Sequence, residues 1–151
     1  MEDKCLVFDI FGVLFSKGLA GSLADLEVVF NRPAGDVVNS YQKWEKQFDV
    51  GEIDEKAFWA AVNKDLSTSI DAELLTHLVI SSYRIDPLVA RLARYYRRST
   101  RVVAYTNYRK EWFDKLDQIF GIAKLFDTLF VSSETKLWKP GKEVFELLCR
   151  E

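Results

Sequence analysis

One carboxylate, Asp9, interrupts an otherwise apolar run over residues 5–15, C-L-V-F-D-I-F-G-V-L-F. A continuous apolar run, without alternation, reads as a strand buried on both faces of a parallel sheet. An acid there belongs where the strand ends and a cleft begins, because ligands of open α/β sheets bind outside the carboxyl ends of the strands. Gly12 then allows the turn that carries the chain off the sheet. The stretch alone fits a capping or paired acid equally well. Two later positions sharpen it: Thr106 and Asn107 end the apolar run R-V-V-A-Y-T-N, and Lys139 with Pro140 follows F-V-S-S-E-T-K-L-W. Parallel strands place all their carboxyl ends on one edge, so Asp9, Thr106 and Lys139 can converge from distant parts of the chain. Together they make a carboxylate nucleophile, a hydroxyl donor for a substrate oxygen, and a cation that stabilises charge. Taken singly, Thr106 also reads as a helix N-cap and Lys139 as a surface cation. Asn107 either binds a substrate oxygen or caps the next helix. Trp138 either lines the cleft beside Lys139 or packs elsewhere.

The elements that must position these residues follow from periodicity. Residues 16–21 read as a linker. Ser22 with Asp25 forms a capping-box-like helix start, and Leu23, Leu26, Val29 and Phe30 recur at helical spacing. Pro33 opens a second helix through Val37, Tyr41, Trp44 and Phe48, which Gly51 breaks. A third helix begins near Asp54 and carries Phe58, Ala61, Val62 and Leu66, and residues 71–82 give a fourth. Four amphipathic helices without an intervening strand form a helical module rather than part of an alternating α/β unit. Alternation then resumes. Asp86 and Pro87 start a helix running to about Arg98. A strand over 101–106, a helix over 109–120, a strand over 128–132 and a helix over 141–150 follow. The expected architecture is α/β, a parallel Rossmann-like sheet from residues 1–16 and 85–151, with a four-helix insertion over 17–84.

Composition narrows the function classes. The 151 residues are 48% hydrophobic and 29% charged with a net charge of −2, so no global field draws nucleic acid. Residues 91–101 hold five arginines, with Leu88, Leu92 and Tyr96 at helical spacing on another face; a solvated face is the reading. There is no apolar run of membrane-spanning length, and the charged start M-E-D-K-C leads straight into the first strand, which sets the expectation of a cytoplasmic protein without a membrane partner. Cys5 and Cys149 make neither a zinc pattern nor a disulfide framework. His77, the single histidine, falls on the fourth helix away from the acids. Trp44, Trp59 and Trp112 lie on apolar helix faces and read as packing.

The three motifs in this order resemble those of the haloacid dehalogenase (HAD) superfamily: F-D-I-F-G-V-L, V-V-A-Y-T-N and V-S-S-E-T-K-L-W-K-P. The inserted helices, with G-E-I-D-E-K-A-F-W, are similar to the family's small helical cap, and the resemblance spans essentially the whole chain. It implies a hydrolase acting through a covalent aspartyl intermediate on a small-molecule substrate. Asp9, Thr106 and Lys139 would be catalytic, and Asn107, Phe11, Gly12 and Trp138 would line the substrate site. It also implies Mg²⁺ held weakly by Asp9 and the Phe11 backbone carbonyl.

Two departures bear on activity. Phe11 stands where the family phosphatases usually carry a second Asp, which protonates the leaving oxygen and activates water. Such help is worth roughly 10²–10⁴-fold. Family members that displace halide carry an aromatic residue there, while some family phosphatases also lack the acid. No fourth strand with its metal-binding acids follows Lys139, and Glu143 and Glu146 read as a solvated face. Phosphatase-type chemistry on a small phosphorylated metabolite is the leading expectation. The alternatives are a 2-haloacid dehalogenase-like hydrolase and an inactive interaction module. Because the missing strand would pair with the first, the chain reads as a fragment or a truncated relative. Its exposed first-strand edge is expected to self-associate or bind a partner.

Overall fold

The computed structural model describes residues 4–150. Strand β1 (Cys5–Phe8) pairs in parallel with β4 (Arg101–Thr106), which pairs in parallel with β5 (Thr128–Val131), in the order β1-β4-β5. β1 is therefore an edge strand of the described sheet. The central strand β4 is buried from Val102 to Thr106, as its uninterrupted apolar run requires. Register sets the site: Phe8 pairs with Ala104, and Thr106 with Val131. Asp9 thus leaves β1 at the level where β4 approaches its own carboxyl end. No helix among the described residues is long and apolar enough to cross a membrane.

Between β1 and β4 the chain forms β2 (Phe15–Ser16), α1 (Leu19–Phe30), α2 (Ala34–Asp49), α3 (Glu55–Leu66), α4 (Ala72–Ser82), β3 (Arg84–Ile85) and α5 (Pro87–Tyr96). Asp54, Asp71 and Asp86 act as N-caps, each accepting a backbone N–H of the first helical turn. After β4 come α6 (Lys110–Phe120), a 3₁₀ turn over Ala123–Leu125, β5, the short α7 (Ser132–Thr135) and α8 (Lys142–Leu148).

Three expectations are corrected. Residues 16–21 are not a linker, and Ser22 does not cap a helix. The chain pairs at Phe15–Ser16 with Arg84–Ile85, and α1 already starts at Leu19. Gly18 turns the chain early with a positive φ of 52°, against the Tyr83 ring, where a Cβ would approach within 2.5 Å. Ser22 is consequently buried inside α1, its hydroxyl donating to the Leu19 carbonyl at 3.0 Å. The third strand ends at Val131, because Ser132 begins the one-turn α7. The arginine-rich helix does not set Leu88 and Leu92 on a separate face from Arg91, Arg94 and Arg98, which line one groove with them, and Ala90 and Ala93 are its buried residues.

The helical layer meets the sheet layer through aromatic packing and one buried ion pair. Phe48 of α2 stacks on Phe58 of α3 (centroids 4.3 Å apart), and Trp59 of α3 stacks on Trp112 of α6 at 5.8 Å. Into this cluster projects Arg109, the residue preceding α6. Its guanidinium lies 4.1 Å from the Phe48 ring and 3.9 Å from the Trp112 ring. It pairs with Asp49 at the end of α2 and donates to the Tyr41 hydroxyl at 2.7 Å. Arg109 and Asp49 are both buried, at 1% and 4% side-chain exposure. Burial opposes the Arg109 charge, but Tyr41, Asp49, Tyr108 and Tyr83 around it hold its pKa above the ordinary value. Two further donors fix the same helix end. The Ser132 hydroxyl donates to the Asp49 carbonyl at 2.6 Å, and Lys136 Nζ donates to the Val50 and Gly51 carbonyls at 3.0 and 3.2 Å. The orphan carbonyls expected at a helix C-terminus thus find partners on β5–α7.

Removing one partner of a buried pair leaves the other charge uncompensated, at a cost of about 3–5 kcal/mol. Asp49→Ala is therefore expected to lower the unfolding free energy by about that much in urea denaturation. Burial, partly offset by Arg109, raises the Asp49 carboxyl to about 7, and burial raises neighbouring Glu45 as well. The folded state thus binds these protons more readily than the unfolded chain, whose Asp titrates near about 4. Stability from Asp49 is greatest below about pH 4 and falls as pH rises towards about 7. Asp49→Asn should flatten that fall; an unchanged slope in denaturation midpoints across this range would contradict it.

Candidate active site

Asp9 follows β1 directly, with its side chain 44% exposed. Its Oδ1 accepts the Ile10 backbone N–H at 2.7 Å and faces Lys139 Nζ at 2.8 Å. Both donors sit on the same oxygen. Among the described residues Oδ2 has no hydrogen-bond partner, so one carboxylate oxygen is anchored and the other is open. The chain then turns tightly. The N–H groups of Leu14 and Phe15 both reach the Ile10 carbonyl, and Gly12 sits at φ 87°, in the left-handed region its lack of Cβ permits. Gly12 therefore shapes the turn after Asp9.

Thr106 lies at the end of β4 as expected, 1% exposed, and its hydroxyl is a buried oxygen without a hydrogen-bond partner among the described residues. Buried hydroxyls normally find partners, so this one stands out. Lys139 arrives from the loop before α8 and donates from Nζ to the Tyr105 carbonyl at 3.0 Å as well as facing Asp9. Its ammonium joins the end of β4 to the end of β1. The structure thus brings Lys139 and Asp9 into direct contact and sets Thr106 next to the Tyr105 carbonyl that Lys139 also holds.

Asn107 holds a neighbouring loop instead of capping the next helix. Its Nδ2 donates to the Lys139 carbonyl at 3.1 Å, and its Oδ1 accepts the Lys139 N–H at 2.9 Å. One side-chain amide satisfies both backbone groups of one residue, as a neighbouring strand would, and this reciprocity fixes which amide atom points where. Asn107 does not cap α6; it holds the Lys139 backbone, and one Nδ2 hydrogen and one Oδ1 lone pair have no further protein partner among the described residues.

Phe11 is only partly exposed, and its ring is tied into an aromatic group. It stacks on Tyr108 at 3.8 Å and on Phe15 at 5.7 Å, and meets Tyr83 edge-on at 5.1 Å. The Tyr108 hydroxyl donates to the Tyr83 hydroxyl at 3.2 Å, and burial raises the pKa of both phenols, keeping them neutral. Where the resemblance to the family puts a second acid, the protein has an aromatic group. Trp138 is half-buried beside Lys139. Its indole makes no hydrogen bond or ring contact among the described residues, while its carbonyl accepts the Gly141 N–H at 2.7 Å. Glu146 pairs with Lys142 on the surface of α8, and Glu143 is exposed in the first turn of that helix.

The donor set does not fit a resident Mg²⁺. Among the described residues no three His, Cys, Asp or Glu side chains come together. Asp9 and the Phe11 carbonyl would supply two oxygens, against the near-octahedral set Mg²⁺ takes, and one Asp9 oxygen already faces an ammonium.

Sequence reading missed Arg109, Asp49, Tyr41 and Ser132, which hold the helical layer against the loop carrying Asn107 and Tyr108. Ser132 also accepts the Tyr108 N–H at 2.8 Å. The one available signal was an Asp between Phe48 and Val50, an acid where the helix pattern puts apolar residues.

The comparisons agree with this architecture. No protein-family model and no curated protein sequence matches the chain. Solved structures do match by shape. One is a HAD-family enzyme from Bacteroides thetaiotaomicron crystallised with magnesium and inorganic phosphate, at TM-score 0.78 and 16% identity over 97% of this chain and 77% of that one. A predicted HAD-like family hydrolase from Porphyromonas gingivalis gives TM-score 0.77 and 14% identity, covering 97% and 75%. The L-2-haloacid dehalogenase from Xanthobacter autotrophicus, with chloropropionic acid covalently bound, gives 0.64 and 14%, covering 96% and 63%. The chain shares the fold of these HAD-like structures.

Two hydrogen bonds hold the Lys139 backbone, so Asn107→Ala is expected to speed hydrogen exchange of the Lys139 amide at least on the order of tenfold and to cost about 1–2 kcal/mol of stability. Asn107→Asp keeps the acceptor and should retain that amide's protection. Equal exchange in all three proteins would show that the clamp is not formed in solution.

Proposed function

We propose that the protein is a hydrolase that uses Asp9 as nucleophile, of phosphatase type, on small substrates whose leaving group departs as a stable anion. The observation that carries the reading is the asymmetry at Asp9: Oδ1 is held by Lys139 and the Ile10 N–H, while Oδ2 is open. Oδ2 attacks phosphorus, the bond to the leaving oxygen breaks with its electron pair, and an aspartyl phosphate forms. Water then displaces phosphate from Asp9, and its proton passes to solvent. Lys139 and the Thr106 hydroxyl stabilise the charge on the transferred group. Phe11 and its aromatic neighbours supply no proton. An alkoxide leaving group thus loses roughly 10²–10⁴-fold of assistance, whereas an acyl or aryl phosphate needs none. The phosphate in the Bacteroides thetaiotaomicron neighbour supports this substrate class.

Phe11 also favours a second reading, displacement of halide from a 2-haloacid, in which Oδ2 attacks carbon and halide leaves without protonation. The covalently bound chloropropionic acid in the Xanthobacter autotrophicus neighbour supports it.

One comparison separates the two. Acetyl phosphate and p-nitrophenyl phosphate are expected to release phosphate, with alkyl phosphates slower by roughly 10²-fold or more; chloride release from 2-chloropropionate instead would favour the second reading. Asp9→Asn should abolish turnover with the circular dichroism spectrum retained. Turnover surviving in that variant would remove Asp9 from the role, and no turnover of any of these substrates by the native chain would favour an inactive module.

A further inference from the structure

Helix α5 buries little of itself. Ala90 and Ala93 are the residues it sinks against β4 and the 3₁₀ turn, while Leu88, Leu92 and Tyr95 remain 62%, 41% and 63% exposed. These three stand at i, i+4 and i+7, which places them in one line along the outward face. Single exposed apolar residues are ordinary on a protein surface, but a contiguous line of them is not. Arg91, Arg94 and Arg98 flank the line, and together the six residues line a groove of about 470 Å³. Nearby Arg97 is committed to Asp127 at 2.7 Å. Arg91, Arg94 and Arg98, by contrast, pair with no carboxylate among the described residues, although the chain as a whole carries a net charge of −2. The arginines and the leucines thus share one face instead of occupying separate ones.

An apolar line bordered by unpaired cations specifies what would cover it. A second copy of α5 would match the leucines but oppose arginine to arginine, which repels. A nucleic acid backbone would use the arginines and leave Leu88 and Leu92 against phosphates. A partner helix with apolar residues at i, i+4 and i+7 and carboxylates on both flanks satisfies every group in the groove. We infer that the outward face of α5 is a docking groove for an acidic amphipathic helix of a partner protein. The groove uses none of the residues of the Asp9 site, so occupancy does not depend on the chemistry proposed there.

The test uses the native chain and a fluorescent synthetic helix carrying Leu at i, i+4 and i+7 with Glu on the flanking positions. Fluorescence anisotropy should show saturable, salt-sensitive binding, and ¹⁵N chemical shifts should move at residues 88–98 and not around Asp9. Leu92→Ser and Arg94→Glu, both at exposed positions, should each weaken binding on the order of tenfold with the fold unchanged by circular dichroism. A peptide of the same composition in scrambled order should bind no more than weakly. The inference is overturned by absent saturable binding or by equal binding of the scrambled peptide. It is also overturned if phosphatidylserine vesicles or polyuridylate occupy the face in preference to the helix, or if sedimentation shows the face closed in a dimer.

Discussion

The guanidinium of Arg109 is the constraint from which the rest of the arrangement follows. A buried cation is tolerated only where an anion and further acceptors surround it. Here Asp49 and Tyr41 come from the inserted helices, while Arg109 itself stands at the start of a helix of the sheet layer. Satisfying that charge therefore forces the two layers together at one defined place. The consequence runs toward the site through touching rings: Arg109 lies 4.4 Å from Tyr108, and Tyr108 stacks on Phe11, two residues beyond Asp9. The position of the residues that follow Asp9 is thus coupled to the seating of the helical layer.

A second economy operates at the carboxyl ends of the strands. Lys139 is held by groups other than the acid it faces. The Asn107 amide holds its backbone and the Tyr105 carbonyl accepts a hydrogen bond from Nζ, so neutral groups as well as Asp9 orient the ammonium. That leaves Asp9 with one fixed and one open oxygen.

Much of this was legible in the sequence, for identifiable reasons. The N-caps Asp54, Asp71 and Asp86 act through bonds to their own next turn, so local sequence suffices. The buried strand 101–106 announced itself by its unbroken apolar run, and Thr106 and Lys139 by their places relative to strands. Ser22 misled because Gly18, four residues earlier, turns the chain against a ring that is 65 residues away in sequence. Arg109, Asp49 and Asn107 were invisible in their roles because each bonds across a long sequence separation. Polar residues there look like ordinary helix-end residues until the fold brings their partners in. Leu88 and Leu92 show the converse error, since helical periodicity reveals that two residues share a face but not which other side chains border it.

The two-residue ribbon formed by Phe15–Ser16 and Arg84–Ile85 has a topological consequence. The chain departs from and returns to the sheet layer at the same spot, so the helical excursion is a closed detour. Its length can grow or shrink without rethreading β1 and β4, whose pairing is made on either side of the detour. Variation in that detour is therefore cheap for the sheet and costly only where Asp49 must still find Arg109. The helices of the detour can thus be remodelled while the strands on either side of it keep their register.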